Sequence, residues 1–186
     1  MARVPLPTRE EFPEELRHVY DRMLKERGDP APHVFLALCN IPSLLQPLLD
    51  FTSAMRHGAV MDARYREMGV VMTAHTARST YEFNKHWNHA LKAGARREQL
   101  EAIEASASVE ALLASPLFDA KERAVLAYAA EATAQIEVSD ATWNALVEAF
   151  PQREAMDLVM AVAWYNAVAR INGPLKVALE PWFKRA

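Results

Sequence analysis

Apolar residues recur along this chain at spacings of three and four, with polar residues filling the gaps between them. That period belongs to helices that bury one face. Strands would show a two-residue alternation of β-branched and polar positions bounded by turns, and no such run is present. The punctuation agrees with the period. Pro13 suits the first turn of a helix reaching about Glu26, with Gly28 as its stop, and Asp29–Pro32 reads as a loop. His33–Asn40 is short and apolar, and Pro42 opens a helix to Arg56 that Gly58 closes, with Pro47 inside it. Asp62 is expected to cap a helix over Ala63–Thr76, and another covers Thr80–Ala93 before Gly94. Arg96–Ala105 and Ser108–Ala114 are shorter. Asp119 caps a helix through Glu131, and Ser139 or Asp140 caps one ending near Phe150. Pro151 opens a long apolar helix to about Asn172, where Gly173-Pro174 is expected to break it before a last helix ending near Trp182. The reading is an all-α fold, with residues 1–186 as a single domain.

Composition sharpens this. The chain has 186 residues, 51% of them hydrophobic, and only five glycines. Alanine and the other good helix formers dominate, and the length suffices to bury a core without staples. Cys39 stands alone, so no internal disulfide or Cys-x-x-Cys pair can form, which fits a reducing, cytoplasmic compartment. A net charge of −3 leaves no basic footprint for nucleic acid. No apolar run approaches the length of a membrane span, and the N-terminus has no apolar leader segment. The expected partner is a small molecule.

The candidate chemistry lies in the stretch from His75 to His89. Glu82, His86 and His89 stand at i, i+4 and i+7 and share one helix face, with Tyr81, Phe83 and Trp87 beside them. Burial raises a glutamate pKa and lowers a histidine pKa, bringing both toward neutrality, where proton transfer works best. Three other readings of these residues compete. Ser79-x-x-Glu82 is also a capping box. Glu82 and His86 can form a plain surface ion pair, and two histidines with a carboxylate are a legitimate metal set, although the H-E-x-x-H spacing is missing. Glu67 sits inside an apolar helix, facing either solvent or a site. Asn166 and Arg170 read as core or interface links on a very apolar helix, with Trp164 and Tyr165 as core. Cys39 reads as a buried inert thiol, and His18, His33 and His57 carry no pattern.

The run Tyr81-Glu-Phe-Asn-Lys-His86-Trp-Asn-His-Ala-Leu-Lys-Ala-Gly94, preceded by Arg66-Glu67, resembles the signature of the carboxymuconolactone decarboxylase family. Phe118-Asp-Ala-Lys-Glu-Arg-Ala-Val-Leu-Ala-Tyr-Ala and Val138-Ser-Asp-Ala-Thr-Trp143 follow in the order that family shows. The resemblance covers residues 40–172, with 1–39 as a helical extension. It implies the all-α fold of the AhpD-like alkylhydroperoxidases and a homo-oligomer, commonly a trimer or hexamer. The peroxidase branch carries a Glu, eleven intervening residues, then Cys-x-x-Cys-x-x-x-His. Here the spacing reads Glu67, Ser79, Glu82, His86. The Glu and His match, and both cysteines are replaced, which removes the attacking and resolving thiols that peroxide reduction needs. What the resemblance then implies is a cofactor-free, metal-free lyase or isomerase acting on a small carboxylated lactone or related cyclic acid. His86 would be the principal acid/base, Glu82 would orient it or share its proton, Glu67 would be a relay group and His89 a substrate contact or second base. Tyr81, Trp87 and Ser79 would contact substrate. The alternative is a non-enzymatic, oligomeric ligand-binding member of the fold.

Overall fold

Both aspartates expected to open helices do so. Asp62 accepts a hydrogen bond from the Arg64 amide at 2.8 Å at the start of Ala63–Thr76. Asp119 accepts from the Glu122 amide at 2.8 Å, while the Glu122 carboxylate accepts from the Asp119 amide at 2.9 Å, a full capping box at the head of Ala120–Gln135. The computed structural model describes residues 2–186, and every regular element among them is helical. The described chain separates into two compact units, residues 2–58 with Ile171–Lys184, and Ala59–Arg170 with Arg185–Ala186.

The first unit holds a short 3₁₀ turn at Glu14–Leu16, then α1 (Arg17–Arg27), α2 (His33–Leu38) and α3 (Pro42–His57). Phe12, Tyr20, Met23, Leu45 and Leu49 form its core, and Cys39 is buried among them. Arg27 ties α1 to α3 by donating to Thr52 Oγ1 at 2.8 Å and Ser53 Oγ at 2.7 Å.

The second unit contains α4 (Ala63–Thr76), α5 (Thr80–Lys92), α6 (Arg97–Ala105), α7 (Val109–Leu113), α8 (Ala120–Gln135), α9 (Asp140–Ala149) and most of α10 (Gln152–Leu175). Its core gathers Met68, Val71 and Met72 of α4, Phe83 and Trp87 of α5, Leu100 and Ile103 of α6, Val125 and Leu126 of α8 and Leu158 of α10. The buried Glu122 links three of these helices, since its carboxylate also receives Arg64 at 2.7 Å and Gln99 at 2.9 Å. Asn166 is the link that its position suggested. Its amide donates to Thr133 Oγ1 on α8 at 2.9 Å, and Arg170 donates to its carbonyl at 2.8 Å. A tight turn joins α4 to α5. The Arg78 amide donates to the His75 carbonyl at 3.0 Å and the Ser79 amide to the Ala74 carbonyl at 2.8 Å. This is the Schellman arrangement, with Arg78 at φ 55° where glycine is usual. A side chain in that left-handed conformation costs about 1 kcal/mol.

The C-terminal expectation fails in two respects. Gly173-Pro174 does not break the long helix, because α10 runs through Pro174 to Leu175. The proline gives up the bond of a missing N–H and crowds the carbonyl four residues back, but only Leu175 of the helix follows it, so little helix is left to disrupt. The stop comes two residues later, where Lys176 adopts φ 51° and the amides of Lys176 and Val177 reach the carbonyls of Gly173 and Asn172, each at 3.1 Å. No helix follows. Residues 176–186 are irregular, and their polar groups are used elsewhere: the Glu180 carboxylate accepts from the His33 amide at 2.9 Å, and the Ala178 carbonyl lies 2.9 Å from His33 Nδ1. A smaller difference is that α8 reaches Gln135 rather than Glu131, since Ala132-Thr-Ala-Gln135 contains nothing that stops a helix. No helix among the described residues is long and apolar enough to cross a membrane.

Gly69 sets how closely α4 can approach its neighbours. A Cβ there would lie 2.5 Å from Leu158 Cδ1 and 3.3 Å from Val125 Cγ1. Both neighbours are fully buried. Gly69→Val is therefore expected to cost about 2 kcal/mol through overpacking, lowering the melting temperature by roughly 4–8 °C. An unchanged melting curve would show that the α4 contact is looser than described.

Candidate active site

Two helices converge on one imidazole. α4 carries Glu67, and α5 carries Glu82 and His86 one turn apart. His86 Nδ1 lies 2.6 Å from Glu67 Oε2, and its Nε2 lies 3.5 Å from Glu82 Oε2. The side chains of His86, Glu82 and Glu67 are 7%, 5% and 16% exposed, so the contacts act in a partly dehydrated setting. The Tyr165 ring of α10 stands edge-on to the imidazole, with centroids 4.3 Å apart. Tyr165 joins the site from far along the chain, and nothing in its apolar neighbourhood distinguishes it from a core tyrosine by sequence.

The electrostatics give each group a direction. Burial alone would raise the Glu67 carboxyl. The electrostatic pull and the hydrogen bond of His86, with smaller contributions from His89 and Arg66, outweigh that and hold it below its ordinary value. Glu67 is thus an anion at neutral pH, and the 2.6 Å contact is the Nδ1–H of His86 donating to it. The other ring nitrogen, Nε2, faces the Glu82 side. At 3.5 Å its contact with Glu82 is looser than an ordinary hydrogen bond. Such an imidazole, anchored on one nitrogen, can take or give a proton at the other.

The structure gathers some of the expected residues and separates others. Glu67, Glu82 and His86 come together. His89 is exposed, with its ring 5.2 Å from that of His86. Ser79 does precede α5 at the N-cap, but its side chain makes no capping bond, so the capping box expected with Glu82 is not formed. Ser79 lines an open cleft together with Phe83. Tyr81 is buried, with the Lys85 ammonium 6.0 Å from its ring centroid. Trp87 is a core residue whose indole N–H donates to the Ala186 carbonyl at 3.0 Å. Among the described residues no three His, Cys, Asp or Glu side chains are arranged to hold a metal ion. Cys39 is buried in the first unit, and burial pushes its thiol up to about 12.

The model of the carboxymuconolactone decarboxylase family matches residues 42–131, a span that contains Glu67, Glu82 and His86. That span is just under half of the chain. No curated protein matches it significantly. Solved structures match it over nearly its whole length. An uncharacterized peroxidase-related protein with an alkylhydroperoxidase AhpD core from Ralstonia eutropha JMP134 is 21% identical, covering 97% of this chain and 93% of its own, with a TM-score of 0.77. A peroxidase-related protein from Silicibacter sp. TM1040 is 19% identical, with coverages of 97% and 92% and the same TM-score, 0.77. The debrominase Bmp8 is 15% identical, with coverages of 94% and 90% and a TM-score of 0.75. At these identities the likeness establishes the AhpD-like fold.

Because its folded pKa is depressed, Glu67 contributes stability above its ordinary value of about 4.3. That contribution is lost as the pH falls through the lower folded value. Glu67→Gln should therefore be less stable than the parent at pH 7, and the gap should narrow on acidification below about pH 4.5. Urea melts across that range check this, and a gap that stays constant with pH would contradict the ionised pairing.

Proposed function

We propose that this chain is a cofactor-free lyase or isomerase acting on a small carboxylated lactone or a related cyclic acid. The observation that carries the proposal is the single imidazole held between Glu67 and Glu82. Decarboxylation breaks the bond between the ring carbon and the carboxylate. Carbon dioxide leaves, the electron pair stays on the ring carbon or delocalises toward the lactone carbonyl, and a proton must arrive there. His86 Nε2 is the donor in this scheme. Glu67 stabilises the imidazolium and fixes its tautomer, while Glu82 passes a proton taken up from solvent to Nε2 after each turnover, replacing the one that leaves on the product carbon. Isomerisation uses the same groups, with the proton removed from one ring carbon and returned to another. His89, Tyr81 and Ser79 are candidate substrate contacts, and Trp87 supports α5 from the core.

The fold tolerates small cyclic ligands. A cysteine-to-alanine variant of the debrominase Bmp8 has been crystallised with 2,3,4-tribromopyrrole. Peroxide reduction does not suit this chain, because Ser79 and Glu82 stand where the peroxidase branch carries its cysteines, and Cys39 holds its proton at neutral pH. We take the protein to be a homo-oligomer, a trimer or hexamer as the family implies. Met156 and Met160, each 41% exposed on α10, support an apolar contact face.

The second reading, an oligomeric ligand-binding protein without turnover, is separated by assay. Purified protein should convert at least one member of a panel of carboxylated lactones, carboxymuconolactone included. His86→Ala should reduce kcat by about 10²–10⁴-fold, and Glu82→Gln should reduce it less. Undiminished turnover in His86→Ala would end the role assignment, and binding of panel members without any conversion would favour the ligand-binding reading.

A further inference from the structure

The Glu67–His86–Glu82 chemistry leaves one feature of the second unit unused. Beside the α4–α5 turn lies an open cleft of about 240 Å³, large enough for a single small ring. Ala74 and Phe83 give it an apolar floor, and Ser79, Thr80 and Asn84 contribute two hydroxyls and an amide to its walls. Two charged side chains, Arg78 and Glu104, and the imidazole of His75 also line it.

These two charges are not in the same state. The Glu104 carboxylate is held from outside the cleft by Arg185, whose guanidinium donates two hydrogen bonds to it at 2.7 and 2.5 Å. Arg185 is itself fixed, stacked 3.6 Å over the Trp87 ring, and the next residue, Ala186, accepts from the Trp87 indole at 3.0 Å and donates to Asn88 Oδ1 at 2.8 Å. Glu104 is therefore neutralised by a partner that the chain locks in place. Arg78 is exposed and its guanidinium makes no hydrogen bond or ion pair with the described residues. The Ser79 hydroxyl makes no capping bond. The cleft thus presents the Arg78 guanidinium, without a partner among the described residues, beside an aromatic ring, with the His75 imidazole and the polar groups of Ser79, Thr80 and Asn84 as further hydrogen-bonding groups.

We infer that this cleft binds a small ring-bearing monocarboxylate, with the carboxylate on Arg78, the ring against Phe83 and Ala74, and Arg185 acting at a distance by masking the charge of Glu104. Guanidinium is suited to carboxylate by its planar pair of donors, and a second polar substituent on the ring would meet Ser79, Thr80 or Asn84. The inference rests on and deepens the reading of the protein as an enzyme for carboxylated cyclic acids, by giving the acid group a place at the turn that leads into the helix carrying His86. Binding at the cleft can nevertheless be measured without turnover.

The experiment is a ¹H–¹⁵N NMR titration of the full chain with benzoate, using benzamide as the neutral isostere. Benzoate should shift amides within residues 74–84 and at Glu104, and benzamide should bind at least tenfold more weakly. Arg78→Gln should weaken benzoate at least tenfold, and Arg78→Lys, which keeps the charge but loses the planar pair of donors, should fall between that variant and the parent. Arg185→Ala should weaken benzoate several-fold by uncovering Glu104, and adding Glu104→Gln to that variant should restore it. That rescue would not occur if Arg185 were merely structural. Equal binding of benzoate and benzamide, indifference to Arg78→Gln, shifts mapping elsewhere, or no shifts up to the solubility limit of benzoate would each overturn the inference. Binding absent while lactone turnover persists would count against the cleft alone. Binding present while every lactone is left unconverted would count against the acid–base reading alone.

Discussion

The 2.6 Å contact between Glu67 and His86 Nδ1 is the constraint on which the site depends. It joins α4 to α5, so it holds only if those helices meet at one height and one rotation. Much of the second unit serves that alignment. The Arg78 turn reverses the chain within three residues, and Gly69 lets α4 lie close to Leu158 and Val125. Glu122 fastens α4 through Arg64 to α6 and α8. A carboxylate as buried as Glu67 would take up a proton if left alone. It stays ionised because the imidazole reaches it, and the imidazole keeps its orientation because the carboxylate stays ionised. Each group is the condition for the other.

The asymmetry of the two flanking carboxylates gives the arrangement its use. One is close and ionised and anchors the ring. The other is 3.5 Å away, near enough to exchange a proton and loose enough to yield the nitrogen to a substrate. Replacing the two cysteines of the peroxidase pattern by Ser79 and Glu82 thus does more than delete a redox pair. It substitutes an acid for a thiol beside the same histidine. On the function proposed above, that acid shares in moving protons where the peroxidase pattern has a thiol.

The all-α fold was legible in the sequence because the apolar period, the aspartate caps and the glycine and proline stops all agree. Ala63–Thr76 and its Asp62 cap were readable for that reason. The shared face of Glu82 and His86 was equally readable, since i, i+4 spacing within one helix fixes neighbours without tertiary information. Glu67 could be tied to them only through the family spacing, because its pairing crosses between helices. Tyr165 could not be found at all: its approach depends on how α10 crosses α5, and one tyrosine in an apolar helix looks like any other. The Ser79–Glu82 capping pattern, one of the readings the sequence left open, is not used, because a capping pattern records what could bond and here the Ser79 amide is taken by the Ala74 carbonyl. The C-terminal segment misled for a related reason. Gly173-Pro174 is a local stop signal, but the chain ends its helix where the backbone bonds close and then spends Glu180 on capping α2.

The central claim is that Glu67 fixes His86 as the Nδ1–H tautomer, leaving Nε2 to the Glu82 side. ¹⁵N NMR of the imidazole nitrogens at neutral pH tests it most directly. The account predicts a protonated Nδ1 whose signal moves in Glu67→Gln, and an Nε2 whose signal responds to Glu82→Gln. A proton resident on Nε2 with Nδ1 bare, or a ring averaging between tautomers and indifferent to Glu67, would contradict it.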